Sequence, residues 1–144
     1  MARRPSTPAP EVFLDASFFL AFLKPEDRDY PAAIRWARHY AGRPRLTTTV
    51  ALAEAADKRP NRERWRRFEI FFVTLRADPS LTVVPVDLAL LDRAMFFRQK
   101  HPARTWGLAD CVSFVVMRDH GVTDALAGDK HFLEAGFDAL LLRP

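Results

Sequence analysis

The sequence predicts an α/β fold, with a single domain built on a mostly parallel central sheet and helices on both faces. Two observations support this prediction. Apolar segments of three to five residues, which suit buried strands, alternate with longer segments whose apolar residues recur at helical spacing. The length of 144 residues, with 49% apolar residues and five glycines, corresponds to one compact domain. We predict a short flexible tail over residues 1–10 and one folded domain over residues 11–144.

The predicted strands and helices follow one another along the whole chain. It begins with the strand EVFLD and the helix ASFFLAFL, followed by the helix YPAAIRWARHYAG and the strand RPRLTT. Next come the helix TVALAEAADK, a longer helix over residues 61–76, the strand LTVVPV and the helix LALLDRAMFFRQK. The last part contains the helix TWGLADCVSFVVM, the strand DALAGD, the helical turn KHFLEAG and the strand DALLL. Pro31, Gly42, Pro60 and Asp87 stand at positions typical of helix starts and ends.

The helix TWGLADCVSFVVM carries a single acid on an otherwise apolar surface. Its apolar residues recur at i, i+3, i+4, i+7 and i+8, and Phe114 and Met117 make the other side apolar as well. A buried carboxylate is costly unless something pairs with it. In one interpretation Thr105 caps the helix and Asp110 interacts with its macrodipole, which contributes about 0.3–1 kcal/mol. In the other, Asp110 belongs to a functional site.

Composition narrows the class of protein. The single cysteine, Cys111, excludes an internal disulfide and a multi-cysteine metal site, and its place on the apolar stripe predicts a core residue. No apolar run approaches the roughly 20 residues of a membrane span, and MARRPSTPAP lacks the apolar region of a signal peptide. We therefore expect a cytoplasmic protein that does not enter a membrane. The net charge of +4, mostly from arginine, is compatible with a nucleic acid or an acidic protein as partner.

Acids stand at the ends of two predicted strands. Asp15 directly follows the first strand, and Asp129 follows the strand that begins DALAG. Ligands of parallel sheets bind beyond the carboxyl ends of the strands, although aspartate is also a common cap of the helix that follows. Glu54 lies mid-helix among alanine and leucine, where it is either a site residue or an exposed glutamate.

Together, Asp15, Glu54, Asp110 and Asp129 resemble the acidic quartet of the PIN-domain nucleases, and most closely that of the VapC-type toxins of toxin–antitoxin pairs. The matching motifs are FLDASFFLAFL, TTVALAEA, TWGLADCVSFVVM and DALAGDKHFLEAGF. The likeness runs from about residue 12 to residue 142, and it implies a PIN domain over residues 11–144. Gly107 departs from the pattern, because relatives usually carry serine or another polar residue there.

The resemblance implies a metal-dependent ribonuclease. Two carboxylates about 5 Å apart repel by roughly 3 kcal/mol at an effective dielectric near 20, so four of them together need a cation. Oxygen ligands without cysteine or histidine favour Mg²⁺, with Mn²⁺ as a substitute. We expect Asp15 and Asp129 to bind the ion directly, and Asp110 and Glu54 to complete the site directly or through water. The ion would activate the water that hydrolyses the phosphodiester.

Two neighbouring residues have weaker assignments. Ser17 either hydrogen-bonds a carboxylate or phosphate in the site or satisfies backbone groups at the helix start. His131, in the motif DKHF, is either a general base or metal ligand, or an imidazole packed at a helix start.

The densest basic run gives the remaining candidates, and it consists of Lys58, Arg59, Arg62, Arg64, Arg66 and Arg67. Arg62, Arg64, Arg66 and Arg67 either contact RNA, which would make affinity depend on salt, or form a solvated face partly neutralised by glutamates. The resemblance implies RNA as substrate, a cognate antitoxin and a homodimer. Two other interpretations remain open: an RNA-processing PIN nuclease outside any toxin pair, and a catalytically silent PIN-like module that binds RNA or protein.

Overall fold

The computed structural model describes residues 8–143, and its centre is one parallel sheet. Its order is β3-β2-β1-β4-β5, and every pairing between neighbours is parallel. The strands are β1 (Val12–Leu14), β2 (Arg45–Thr48), β3 (Leu81–Val84), β4 (Asp124–Leu126) and β5 (Asp138–Ala139). Residues 1–7 of the predicted tail, and residue 144, lie outside the described residues.

Seven α-helices surround the sheet within residues 8–143. They are α1 (Ala16–Phe22), α2 (Tyr30–Tyr40), α3 (Thr49–Asp57), α4 (Arg62–Ala77), α5 (Leu88–Gln99), α6 (Leu108–Asp119) and α7 (Lys130–Glu134). No helix in this described part is both long and apolar enough to cross a membrane. The predicted α/β class with a parallel sheet is therefore confirmed.

The strands separate two hydrophobic cores because successive side chains point to opposite faces of a sheet. In β1, Phe13 belongs to the core under α5, α6 and α7, whereas Val12 and Leu14 belong to the core under α1 to α4. The same alternation occurs in β4, where Ala125 packs on the first core and Leu126 on the second. The predicted helices on both faces follow from this alternation.

The predicted start of α6 is wrong. Its N-cap is Gly107 rather than Thr105, which is exposed in the preceding loop. Trp106 is only 3% exposed and packs against Phe114, with ring centroids 5.2 Å apart. The Trp106 carbonyl accepts a hydrogen bond of 2.7 Å from Nε of Arg98 instead of serving the helix. Because the indole is buried and the Trp106 carbonyl is bonded to Arg98, the helix begins only at Leu108.

The predicted last strand is shorter than DALLL. Pairing stops after Ala139, and Leu140–Leu142 form a 3₁₀ turn. Leu140 and Leu141 are both buried in the core under α1 to α4. A strand would send consecutive side chains to opposite faces, so placing both on one face requires a helical turn.

The chain reverses its direction across the sheet between β1 and β4. From β1, the chain adds β2 and β3 on one side, and β4 and β5 on the other. A crevice opens at such a reversal, outside the carboxyl ends of the strands, and ligands of open α/β sheets bind there. Asp15 and Asp129 lie in the two segments that follow these neighbouring strands.

Candidate metal and active site

Asp15 is fixed by the start of α1. Its backbone is extended (φ −86°, ψ 160°), and its side chain caps the helix by accepting from the Ser17 N–H at 3.1 Å. The Ser17 hydroxyl donates to the same carboxylate oxygen, Oδ2, at 2.5 Å. Asp15 is 8% exposed, so this carboxylate lies inside the fold rather than on a solvated surface.

Ser17 joins the two strand ends. Its hydroxyl oxygen accepts from the Gly128 N–H at 3.0 Å while its hydrogen is given to Asp15. Ser17 therefore does hydrogen-bond a carboxylate of the cluster, one of its two predicted roles. Gly128 was not singled out from the sequence, although a glycine at a strand end often marks close approach. A Cβ at Gly128 would lie 3.2 Å from Oδ2 of Asp29, so a larger residue would crowd this junction.

Asp129 caps α7 in the same way. Its Oδ1 accepts from the His131 N–H at 2.9 Å, which leaves Oδ2 directed toward the His131 ring, 3.3 Å from Nδ1. One oxygen of the carboxylate therefore holds the helix start, and the other is available at the crevice. The sequence offers helix capping and a place in the site as alternative roles for Asp129. This geometry allows both at once.

Asp110 approaches the same point from α6. Its Oδ2 accepts from the Gly107 N–H at 3.2 Å and lies 2.9 Å from Nδ1 of His131. The rest of α6 is buried continuously from Cys111 to Met117, which makes the helix a rigid support. Cys111 itself is a buried free thiol whose pKa is raised by burial, as expected for a core residue.

Glu54 lies in the second turn of α3, and the start of this helix is tied to the sheet. Thr48 caps α3 by accepting from the Ala51 N–H at 3.0 Å, and the Thr47 hydroxyl donates to the Leu14 carbonyl at 2.7 Å. Glu54 is half-buried, and burial raises its pKa. Lys58 opposes this shift, whereas the charges of Asp110 and Asp129 add to it.

The four carboxylates form one electrostatic unit, here called the acidic cluster: Asp15, Glu54, Asp110 and Asp129. Burial raises the pKa of Asp15 to about 6, against the lowering effect of the Ser17 hydrogen bonds. The charges of Glu54 and Asp110 raise the pKa of Asp15 further. Four acids from four elements therefore repel one another across the crevice, which is the condition a bound cation relieves.

The donor set fits a divalent cation. One carboxylate oxygen from each of Asp110 and Asp129 and one ring nitrogen of His131 all lie within 4.8 Å of one another. Carboxylate oxygens are the ligands that Mg²⁺ and Mn²⁺ prefer. A cation there would also offset the raised pKa of Asp15, because opposite charge favours the ionised carboxylate. Of the two acids predicted to bind the ion directly, Asp129 belongs to this group and Asp15 does not, while Asp110 and His131 complete it. Asp15 and Glu54 are linked to the group by charge, because Asp110 raises the pKa of both.

The basic residues lie beside this cluster rather than in it. The name basic segment is used here for Lys58, Arg59, Arg62, Arg64, Arg66 and Arg67. Arg62, Arg66 and Arg67 are exposed at the start of α4 and Arg64 is half-buried, while Arg67 pairs with Glu63 at 2.7 Å. Lys58 stands four residues after Glu54, so α3 connects the two charged regions directly.

The chain is similar to known proteins in sequence and in fold. The chain is 29% identical over 128 residues to the 23S rRNA-specific endonuclease VapC20 of Mycobacterium tuberculosis, covering 88% of this chain and 95% of that protein. The crystal structure of VapC20, described as a sarcin–ricin loop cleaving toxin, superposes with a TM-score of 0.80. That match has 26% identity and covers 93% of this chain and all of the other.

More distant structures share the fold. FitAcB of Neisseria gonorrhoeae matches with a TM-score of 0.63 at 15% identity, over 89% of this chain and 95% of that one. The resemblance to VapC-type proteins that the sequence motifs predicted is thus confirmed. The PIN domain sequence model matches residues 12–138, nearly the whole chain. The chain therefore belongs to the PIN domain family.

Proposed function

We propose that this chain is a Mg²⁺-dependent endoribonuclease and the toxin of a toxin–antitoxin pair. The observation that carries the proposal is the convergence of four carboxylates at the carboxyl ends of β1 and β4, on donors suited to a divalent cation. The likeness to VapC20, named as a 23S rRNA-specific endonuclease, supports RNA as the substrate class. Mn²⁺ would substitute for Mg²⁺ at such oxygen ligands.

Each acid has a distinct task in this proposal. Asp129 and Asp110 have oxygens within 4.8 Å of each other and would hold the ion. Asp15, whose pKa is raised by the charge of Asp110, would join them as a ligand. Glu54 is half-buried across the cluster and would complete the site directly or through water. Ser17 acts as a positioning residue, because its hydroxyl orients Asp15 and ties it to Gly128. When bound, the cation supplies Lewis-acid stabilisation and lowers the pKa of a water, so no side-chain nucleophile is required.

The basic segment would supply the attraction that the acidic cluster lacks. A crevice lined by carboxylates repels phosphate, so a polyanion needs positive charge nearby to dock. Lys58 stands about one helical turn, roughly 6 Å, from Glu54 along α3, so it brings positive charge to the edge of the acidic cluster. Arg62 and Arg66 extend that positive surface at the start of α4.

Protein partners have support in exposed apolar side chains. On α4, Ile70 is 62% and Val73 is 70% exposed, and on α5, Leu88 is 73% and Phe96 is 58% exposed. Exposed apolar patches mark interfaces. We assign these two surfaces to a cognate antitoxin and to a second copy of the chain. The buried free thiol of Cys111 suits the reducing cytoplasm where such a pair would act.

Cleavage of intact ribosomes tests the proposal. Purified chain is incubated with ribosomes or total cellular RNA, with Mg²⁺ or with EDTA, and the new RNA ends are mapped. We expect defined cuts that require Mg²⁺ and that disappear in Asp129→Asn. The control is Asp87→Asn, which alters an aspartate that caps α5 and is not one of the four acids of the cluster.

Other outcomes separate the alternatives. A folded wild type that leaves all RNA intact with Mg²⁺ and Mn²⁺ would favour a silent binding module. A third outcome is RNA cleavage by a chain that does not inhibit growth when expressed and is not neutralised by the protein product of a small neighbouring gene. That outcome would favour an RNA-processing nuclease outside any toxin pair.

A further inference from the structure

We propose that His131 is a nitrogen ligand of the cation site and makes it select Mn²⁺ over Mg²⁺ more strongly than its carboxylates alone would. This inference rests on the proposed metal site and assigns a ligand to it. The sequence left His131 open between a site role and a packed imidazole. Its position between two acids in the structure favours the first.

The distances around Nδ1 match those between neighbouring ligands of one ion. Nδ1 lies 2.9 Å from Oδ2 of Asp110 and 3.3 Å from Oδ2 of Asp129. With metal–ligand bonds of about 2.1 Å, adjacent ligands of an octahedral ion are about 3.0 Å apart. The two distances from the nitrogen to the carboxylate oxygens are therefore close to this spacing, and all three ligand atoms lie within 4.8 Å of one another.

A single hydrogen bond from Nδ1 engages only one of the two carboxylates. A neutral imidazole places at most one hydrogen on Nδ1. That hydrogen serves Asp110 at 2.9 Å, and Oδ2 of Asp129 then faces the same nitrogen at 3.3 Å without a hydrogen of its own. A cation between the three atoms satisfies both oxygens and the nitrogen lone pair at once.

The fold holds the ring in this place. The His131 N–H donates to Oδ1 of Asp129, which fixes the first turn of α7. The next residue, Phe132, is fully buried, with its ring centroid 5.1 Å from that of Phe114 on α6. This contact clamps α7 against α6, so the His131 side chain, 20% exposed, stays directed at Asp110. A ligand held this way loses little freedom on binding.

The nitrogen changes which ion is preferred. Mg²⁺ takes oxygen ligands and gives up water reluctantly. Mn²⁺ also suits carboxylates, but it belongs to the transition-metal series whose members bind imidazole nitrogen. Replacing one oxygen donor by Nδ1 therefore raises affinity for Mn²⁺ relative to Mg²⁺. The same change leaves the charge of the acidic cluster available to either ion.

Mn²⁺ itself is the probe for the test. Binding to the full chain is followed by the electron paramagnetic resonance signal of free Mn²⁺, and Mg²⁺ affinity is obtained by competition. We expect His131→Ala to weaken Mn²⁺ binding by about 10- to 100-fold, the range that changes near a metal ligand cause. Mg²⁺ affinity should change by less than about threefold, because oxygen ligands provide most of the binding of Mg²⁺. The matched control is His120→Ala, an exposed histidine at the end of α6.

Pulsed resonance on the wild type reads the ligand directly and needs no variant to fold. Bound Mn²⁺ should show coupling to an imidazole ¹⁴N that persists in His120→Ala and vanishes in His131→Ala. Mn²⁺ bound without ¹⁴N coupling, or equal losses for both ions in His131→Ala, would overturn the assignment of His131 while leaving the carboxylate site intact. If Mn²⁺ binding is absent, or is unaffected by Asp129→Asn, the proposed metal site itself fails.

Discussion

The acidic cluster and the basic segment are both charged, but they are built in opposite ways. The four acids come from four separate elements, and Asp15, Asp110 and Asp129 each accept a backbone hydrogen bond. The basic segment is a short stretch of consecutive chain whose arginines at the start of α4 are mostly exposed. The acids, one buried and three half-buried, therefore perturb one another, whereas most of the arginines are surrounded by water.

This difference predicts unequal responses to mutation. Charges that are buried and held in place have large, specific effects, whereas exposed charges are screened by salt and have small effects. Variants in the acidic cluster should therefore change activity strongly and, at Asp15, the pH dependence of stability. Variants in the basic segment should change only binding.

Asp129→Asn should reduce RNA cleavage by at least about 10²-fold, because loss of one ligand misplaces the reacting groups. The variant should remain folded, since asparagine also caps helices well. Initial cleavage rates at saturating Mg²⁺ are measured beside Asp87→Asn. A folded Asp129→Asn protein that cleaves at the wild-type rate would remove Asp129 from the site.

Stability without metal should report the burial of Asp15. Its pKa is about 6 in the fold against 3.8 as the ordinary value, so the folded state holds the proton more tightly. The Asp15 carboxyl stabilises the fold fully below pH 3.8, and this stabilisation is lost as pH rises through about 6. The free energy of unfolding changes by about 3 kcal/mol between the two limits. Relative to Asp15→Asn, the wild type should therefore lose about that much free energy of unfolding between about pH 4 and about pH 7.

Urea unfolding in EDTA at the two pH values measures this difference. Asparagine keeps the shape of the side chain but does not titrate. The pH-dependent contributions of the other titratable groups are therefore the same in both proteins and cancel in the difference. Parallel pH profiles for the two proteins would show that Asp15 is solvated in solution.

Metal binding should stabilise the chain through the acidic cluster. Mg²⁺ at a hundred times its dissociation constant adds about 2.7 kcal/mol, which raises the thermal midpoint by roughly 10 °C. Asp110→Asn should melt at the same or a higher temperature without metal, because one repelling charge is gone, and should gain less from Mg²⁺. Asp92→Asn, on the exposed face of α5, is the control. Equal gains in all three proteins would place the ion elsewhere.

The basic segment should show the smallest effect, and only on binding. Arg62→Ala with Arg66→Ala should lower the salt dependence of RNA affinity by about 0.7 in log–log slope for each single-strand phosphate that an arginine no longer neutralises. The control is Arg35→Ala, an exposed arginine on α2. Titrations with the inactive Asp129→Asn background over several salt concentrations give the slopes. An unchanged slope would mean that this face is merely solvated.

Local sequence patterns predicted most helices and strands because backbone geometry imposes their periods. The alternation of Val12, Phe13 and Leu14 between the two cores is such a case, since a strand sends successive side chains to opposite faces. The patterns failed at Thr105, where the burial of Trp106 against residues distant in sequence overrode a good capping residue. The predicted strand DALLL failed for a similar reason, because Leu140 and Leu141 are needed in the same core.

The sequence by itself determined the α/β class, the PIN family motifs and the four candidate acids, because these depend on local propensity and on residue type. Only the tertiary structure decided that Ser17 joins Asp15 to Gly128, that His131 stands between Asp110 and Asp129, and that burial raises the pKa of Asp15. Those properties depend on the order of the strands and on helix packing across the sheet. Interactions between distant residues set both, so no local pattern in the chain encodes them.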